Sequence, residues 1–117
     1  MSLQLTKILT TVSNFYEIPA ELIKSKTRKD YIVHARQVYM YLAKKYTKHS
    51  LAKISGVCNR DHATAIHAIK VVSDQIYINF EIMAEIEEIE QNLINPLVVQ
   101  DINLLQLSKN HTLSYVG

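Results

Sequence analysis

Glycine and proline are nearly absent: each occurs twice in 117 residues. So few chain breakers exclude a turn-rich architecture and predict helices joined by short connections. The two glycines, Gly56 and Gly117, cannot build a GxxxxGK[ST] loop, so a phosphate-cradling nucleotide site of that kind is excluded. One cysteine, Cys58, rules out an internal disulfide and suits a reducing cytoplasm. No apolar run approaches the roughly 18 residues of a membrane span, and no basic-then-apolar leader opens the sequence. The length leaves room for one domain.

What is present is a strong charge asymmetry. Residues 1–70 hold twelve Lys/Arg against four acids, a surplus of eight. Residues 71–117 hold one Lys against seven acids, a deficit of six, and the two parts make the net +2. A basic front is the electrostatic footprint of phosphate binding. An acidic rear is expected to face away from such a partner. Solvated faces alone also give charge blocks, so the asymmetry needs a second signal.

Apolar residues recur at three- and four-residue steps. Leu5, Ile8, Leu9, Val12, Phe15 and Tyr16 predict a helix over Leu3–Tyr16. Pro19 suits the first turn of a short helix ending at Ile23. A basic link, Ser25–Lys29, precedes a helix capped by Asp30 and running to Tyr46. Ser50 is expected to cap a helix over Ser50–Ser55, with a turn at Gly56–Asn59. Asp61 then caps a longer helix whose inward face is expected to hold Ile66, Ile69, Val72 and Ile76. Ile82, Ile86, Ile89 and Leu93 form a seam among glutamates, too short for a coiled coil and suited to docking on the domain's own core. Asn95-Pro96 ends that helix, leaving an apolar tail. The expected fold is all-α: a compact helical domain with a helix-turn-helix over 1–94, an acidic C-terminal helix, and a tail over 95–117 for docking or interaction. Short helix, tight turn, polar-tipped helix is the outline of a DNA reader.

Bland readings cover the other chemistry-bearing residues. His62 and His67 lie five residues apart, about 140° around a helix, so their rings diverge and no metal is expected. Cys58 fills a turn and is no nucleophile. The glutamates from Glu85 to Glu90 make a solvated face. Tyr31, Tyr39, Tyr41 and Tyr46 sit at helical spacing and pack a core. No catalytic set and no cofactor is expected.

One specific likeness runs through the chain. Ser25-Lys26-Thr27-Arg28, Ala35-Arg36-Gln37, His49-Ser50-Leu51, Arg60-Asp61-His62-Ala63-Thr64 and His67-Ala68 fall in the order and spacing of one family. The chain resembles the C-terminal DNA-binding domain of the bacterial replication initiator DnaA from about Leu3 to Asp74, and more weakly to Leu93. The resemblance implies a helix-turn-helix that binds a short AT-rich box in duplex DNA, with a regulatory role in replication or transcription. It implies base contacts by Arg28 in the minor groove and by Asp61, His62 and Ala63 in the major groove. It implies backbone contacts by Lys26, Arg36, Gln37, Lys44, His49, Ser50, Arg60, Thr64 and His67. Arg36 and Lys44 stand about two helical turns apart and are expected to face one phosphate strand.

Two departures stand out. Ala63 replaces the family's usual threonine, and Cys58-Asn59 replaces a glycine pair in the turn. Asparagine tolerates a left-handed backbone, so the turn is expected to survive. The initiator's ATPase module has no counterpart here, so a stand-alone DNA binder without nucleotide is expected, on the nucleoid of a bacterial or phage-infected cytoplasm. A second class of reading is a helical protein-interaction module, or homodimer, working through residues 75–117.

Overall fold

The computed structural model describes residues 4–94. The expected boundary after residue 94 and the tail 95–117 therefore lie outside the described residues. Six helices follow one another: α1 (Leu5–Tyr16), α2 (Ala20–Ile23), α3 (Asp30–Tyr46), α4 (Leu51–Gly56), α5 (His62–Ile78) and α6 (Phe80–Ile94). There is no strand among the described residues, and the fold is all-α.

The central helix is α3, which packs on α1, α2, α4 and α5. Its stripe Ile32, Ala35, Val38, Tyr39, Leu42 and Ala43 is fully buried, as the helical spacing predicts. The Tyr39 hydroxyl donates to the Ile54 carbonyl at 3.0 Å, tying α3 to α4 while satisfying a buried polar group. Helix α6 lays Ile86, Ile89 and Leu93 onto α1 and α5, so the seam docks on the domain's own core. No helix among the described residues is long and apolar enough to cross a membrane.

Local chemistry sets most boundaries. The Ser50 hydroxyl accepts from the Lys53 N–H at 3.1 Å and starts α4. The turn into α5 is closed by Asn59 at φ 59°, a left-handed backbone that asparagine tolerates. Gly56 is helical there, and a Cβ added to it would meet nothing within 4 Å, so Asn59 makes the turn. Asn79 is the single residue between α5 and α6. Its side-chain oxygen accepts from the N–H groups of Glu81 and Ile82 at 2.9 and 3.2 Å.

Two expectations are corrected. Lys29, not Asp30, is the N-cap of α3, and it makes no side-chain cap bond; Asp30 sits in the first turn. There its charge still favours the positive helix end. The inward face of α5 is Ala65, Ala68 and Val72, whereas Ile66 is 52% exposed. Alanines let α5 press closely on α3 and α4, and one residue's rotation turns Ile66 outward. Ile69 and Ile76 are only partly buried.

Candidate nucleic-acid interface

The tip of α5 is built from its cap. Asp61 Oδ1 accepts from the Thr64 N–H at 3.0 Å and from the Thr64 hydroxyl at 3.1 Å. Those two bonds hold the exposed carboxyl below its ordinary range, the backbone bond contributing most. Both bonds fall on Oδ1, and the Asp61 residue is exposed. His62 and Ala63 follow, both exposed. Along the helix His62, Ile66 and Lys70 step by four residues along one exposed row, and exposed Ala63 and His67 form the adjacent row. Ile66 and Lys70 were not expected there. Their spacing from His62, four and eight residues, was the available signal.

Beside this tip runs the loop between α2 and α3. Lys26, Arg28 and Lys29 are exposed on it. Arg28 and Arg36–Gln37 line a groove of about 340 Å³ together with Thr64 and His67 of α5. The structure thus gathers Arg28, Arg36, Gln37, Thr64 and His67 around one concavity. Lys44, His49 and Ser50 do not line it: Lys44 is exposed near the end of α3, and Ser50 is exposed as the α4 cap.

The expected phosphate grip by Arg36 is corrected. Arg36 is 5% exposed, and its guanidinium is spent on the loop's backbone. Its Nε donates to the Ile23 carbonyl at 2.7 Å, and its Nη2 to the Ser25 and Thr27 carbonyls at 2.9 and 3.3 Å. Arg36 and exposed Lys44 therefore do not face one phosphate strand together. Burial, followed by the nearby Arg60 charge, lowers the Arg36 pKa, yet a guanidinium remains charged in proteins. Arg60 is also half-buried, and its Nη2 donates to the same Ser25 carbonyl at 2.9 Å.

Burial pushes the Cys58 thiol up to about 11, so it stays protonated and inert at neutral pH. No cluster of three metal-ligating side chains occurs among the described residues. The acids of α6 lie on another part of the molecule. Glu85 accepts from the Tyr16 hydroxyl at 2.8 Å, and Glu90 pairs with Lys45, so both hold α6 to the body.

Comparison with known proteins identifies the family. The family model described as the bacterial dnaA protein helix-turn-helix matches residues 5–72. The chain is 44% identical over 87 residues to the chromosomal replication initiator protein DnaA of Bacteroides thetaiotaomicron, covering 74% of this chain and 18% of that protein. It is 40% identical over 87 residues to its namesake in Flavobacterium psychrophilum, with the same shares covered. With the namesake of Desulfotalea psychrophila it shares 34% identity over 99 residues, covering 85% of this chain and 20% of that protein. The chain thus spans about a fifth of the length of the relatives it matches. Since the family match covers more than half of its residues, this chain belongs to the bacterial DnaA helix-turn-helix family.

Proposed function

We propose that this chain binds duplex DNA sequence-specifically at AT-rich sites of the DnaA-box type and regulates replication or transcription there. Family membership supports DNA binding in replication initiation. The observation that carries the finer reading is the groove shared by Arg28 and the first turns of α5, Thr64 and His67, with Asp61, His62 and Ala63 exposed just before them and outside the groove lining. In this reading the α5 tip enters the major groove while Arg28 reaches the adjacent minor groove.

Each group then has a chemical task. Asp61 Oδ2 accepts from a cytosine amino group, and the His62 imidazole donates to a purine or thymine acceptor. Ala63 and Ile66 offer methyl groups to thymine C5-methyls. Arg28 enters the AT-rich minor groove, where the negative potential is greatest. Lys26, Gln37, Lys44, His49, Ser50, Thr64 and His67 contact the sugar–phosphate backbone and set the register. No enzymatic step and no nucleotide is part of this reading.

Binding to an AT-rich box and to a scrambled duplex at several salt concentrations tests it. A preference on the order of 10³ for the box is expected, with affinity falling as salt rises. Equal affinity for the two duplexes would remove sequence recognition, and salt-independent binding would remove the phosphate contacts.

A second reading draws support from one patch. Tyr77, Ile78 and Phe80 at the α5–α6 joint are 90%, 79% and 76% exposed. Neighbouring apolar residues this exposed favour a protein contact, with a second copy or another partner, through residues 75–117. Sedimentation of the wild type and of a Tyr77→Ser, Phe80→Ser double variant separates the cases. A concentration-dependent dimer lost in the variant supports self-association, whereas identical monomeric profiles exclude it.

A further inference from the structure

We propose that Arg60 is a positioning residue for DNA recognition: it ties the loop that carries Arg28 to the tip of α5, fixing the distance between the two reading elements. The inference rests on the DNA-binding reading above.

The geometry comes from two segments 35 residues apart in sequence. The Arg60 guanidinium donates to the Ser25 carbonyl at 2.9 Å, three residues before Arg28. Beside it, the Asn59 side-chain amide reaches the Lys24 carbonyl at 3.4 Å. The backbone of Arg60 is itself fixed, because its N–H donates to the Ser55 carbonyl at 3.0 Å and closes the turn after α4. The next residue is the cap Asp61, and the one after is His62. Arg60 thus stands between the two elements, with its backbone in one and its side chain on the other.

Arg36 donates to the same Ser25 carbonyl, also at 2.9 Å. Two guanidinium groups on one carbonyl repel each other, and Arg60 Nε is buried with no acceptor among the described residues. A surface phosphate contact needs neither cost. An exposed arginine would keep its fork in water, free to meet phosphate bidentately. Here the fork is turned inward and partly shut from solvent, which fits a tether and not a grip. Without it the loop keeps the Arg36 bonds, which join it to α3, and the long Asn59 contact to the Lys24 carbonyl at 3.4 Å, so its tie to the α5 side is weakened.

A double-mutant cycle tests the proposal. Affinity for an AT-rich box is measured for wild type, Arg60→Met, Arg28→Ala and the double variant, with thermal unfolding of each. Arg60→Met is expected to weaken box binding about tenfold, comparable to loss of one base contact. In the Arg28→Ala background the same change is expected to cost less than about twofold, because the loop no longer has a reader to place. Arg60→Lys, which keeps one donor for the Ser25 carbonyl, is expected to recover part of the loss, and it replaces Arg60→Met in the cycle if that variant does not fold. Equal losses in both backgrounds, with the salt slope lowered by about one, would make Arg60 a phosphate contact and overturn the proposal. So would an Arg60 variant that binds like wild type while Arg28→Ala is weakened. If Arg28→Ala itself binds like wild type, the minor-groove part of the DNA-binding reading fails instead.

Discussion

The two ends of α5 expose different chemistry. At its start the exposed residues are Asp61, His62, Ala63, Ile66 and His67, three of which form directional hydrogen bonds through their side chains. At its end the exposed large side chains are Tyr77 and Ile78, followed by Phe80, whose apolar surface gains by leaving water. The start is also tightly fixed, through the Thr64 bonds to Asp61 and the reach of Asn59 and Arg60 to the loop. A surface that reads a sequence must hold its donors and acceptors in place before the partner arrives. A surface that associates through apolar burial has no such need. One helix therefore carries a rigid polar end and an apolar end, and the middle, Ala65–Val72, anchors both to the core.

The largest expected effect separates the ends through stability. Ile89 of α6 is fully buried, and Ile89→Ala is expected to destabilise the fold by ~2–5 kcal/mol. Box affinity well below the lowered melting temperature is expected to be unchanged, since α6 contributes nothing to the polar end. A parallel loss of box affinity at low temperature would join the two ends functionally. Next in size, His62→Ala is expected to cost ~1–3 kcal/mol in specific binding with no change in melting temperature. Unaltered base preference in a gel-shift series would remove His62 as a reader.

Asp61 sharpens the polar end further, because capping and base contact separate by substitution. Asp61→Asn keeps a good cap but replaces an acceptor-only group, so stability is expected to hold while base preference shifts. Asp61→Ala loses both. The folded carboxyl sits below the ordinary value of 3.8, so its contribution is complete above that value and drains as pH falls through the lower folded one. The acid limb of an unfolding series is expected to lose this component in Asp61→Asn. The smallest effect belongs to the rear: the half-exposed Lys45 paired with Glu90 is expected to yield less than about 1 kcal/mol on Lys45→Met.

The helices were legible because their signals are local. Three- and four-residue spacing reveals α1, α3 and the α6 seam. The caps Ser50 and Asp61 and the left-handed Asn59 announce themselves through side chains that bond or relax their own backbone. Ile66 was misplaced because hydrophobicity favours isoleucine over alanine for burial. Which stripe faces inward depends instead on how closely α5 approaches α3, a tertiary fact. Arg36 was misread for the same kind of reason. Its partners are carbonyls 9 to 13 residues upstream, and carbonyls leave no mark on side-chain patterns. Arg60 reaches a carbonyl 35 residues away, equally silent in the sequence. The family resemblance supplied these arginines as a pattern, and the coordinates show which way they turn.

Backbone amide shifts in an NMR titration with an AT-rich box duplex compare the ends of α5 most directly. Perturbations concentrated at residues 24–29 and 61–67, with residues 77–90 unmoved, are expected. Perturbations centred on Tyr77–Glu90, with the tip of α5 silent, would contradict the assignment of recognition to the polar end.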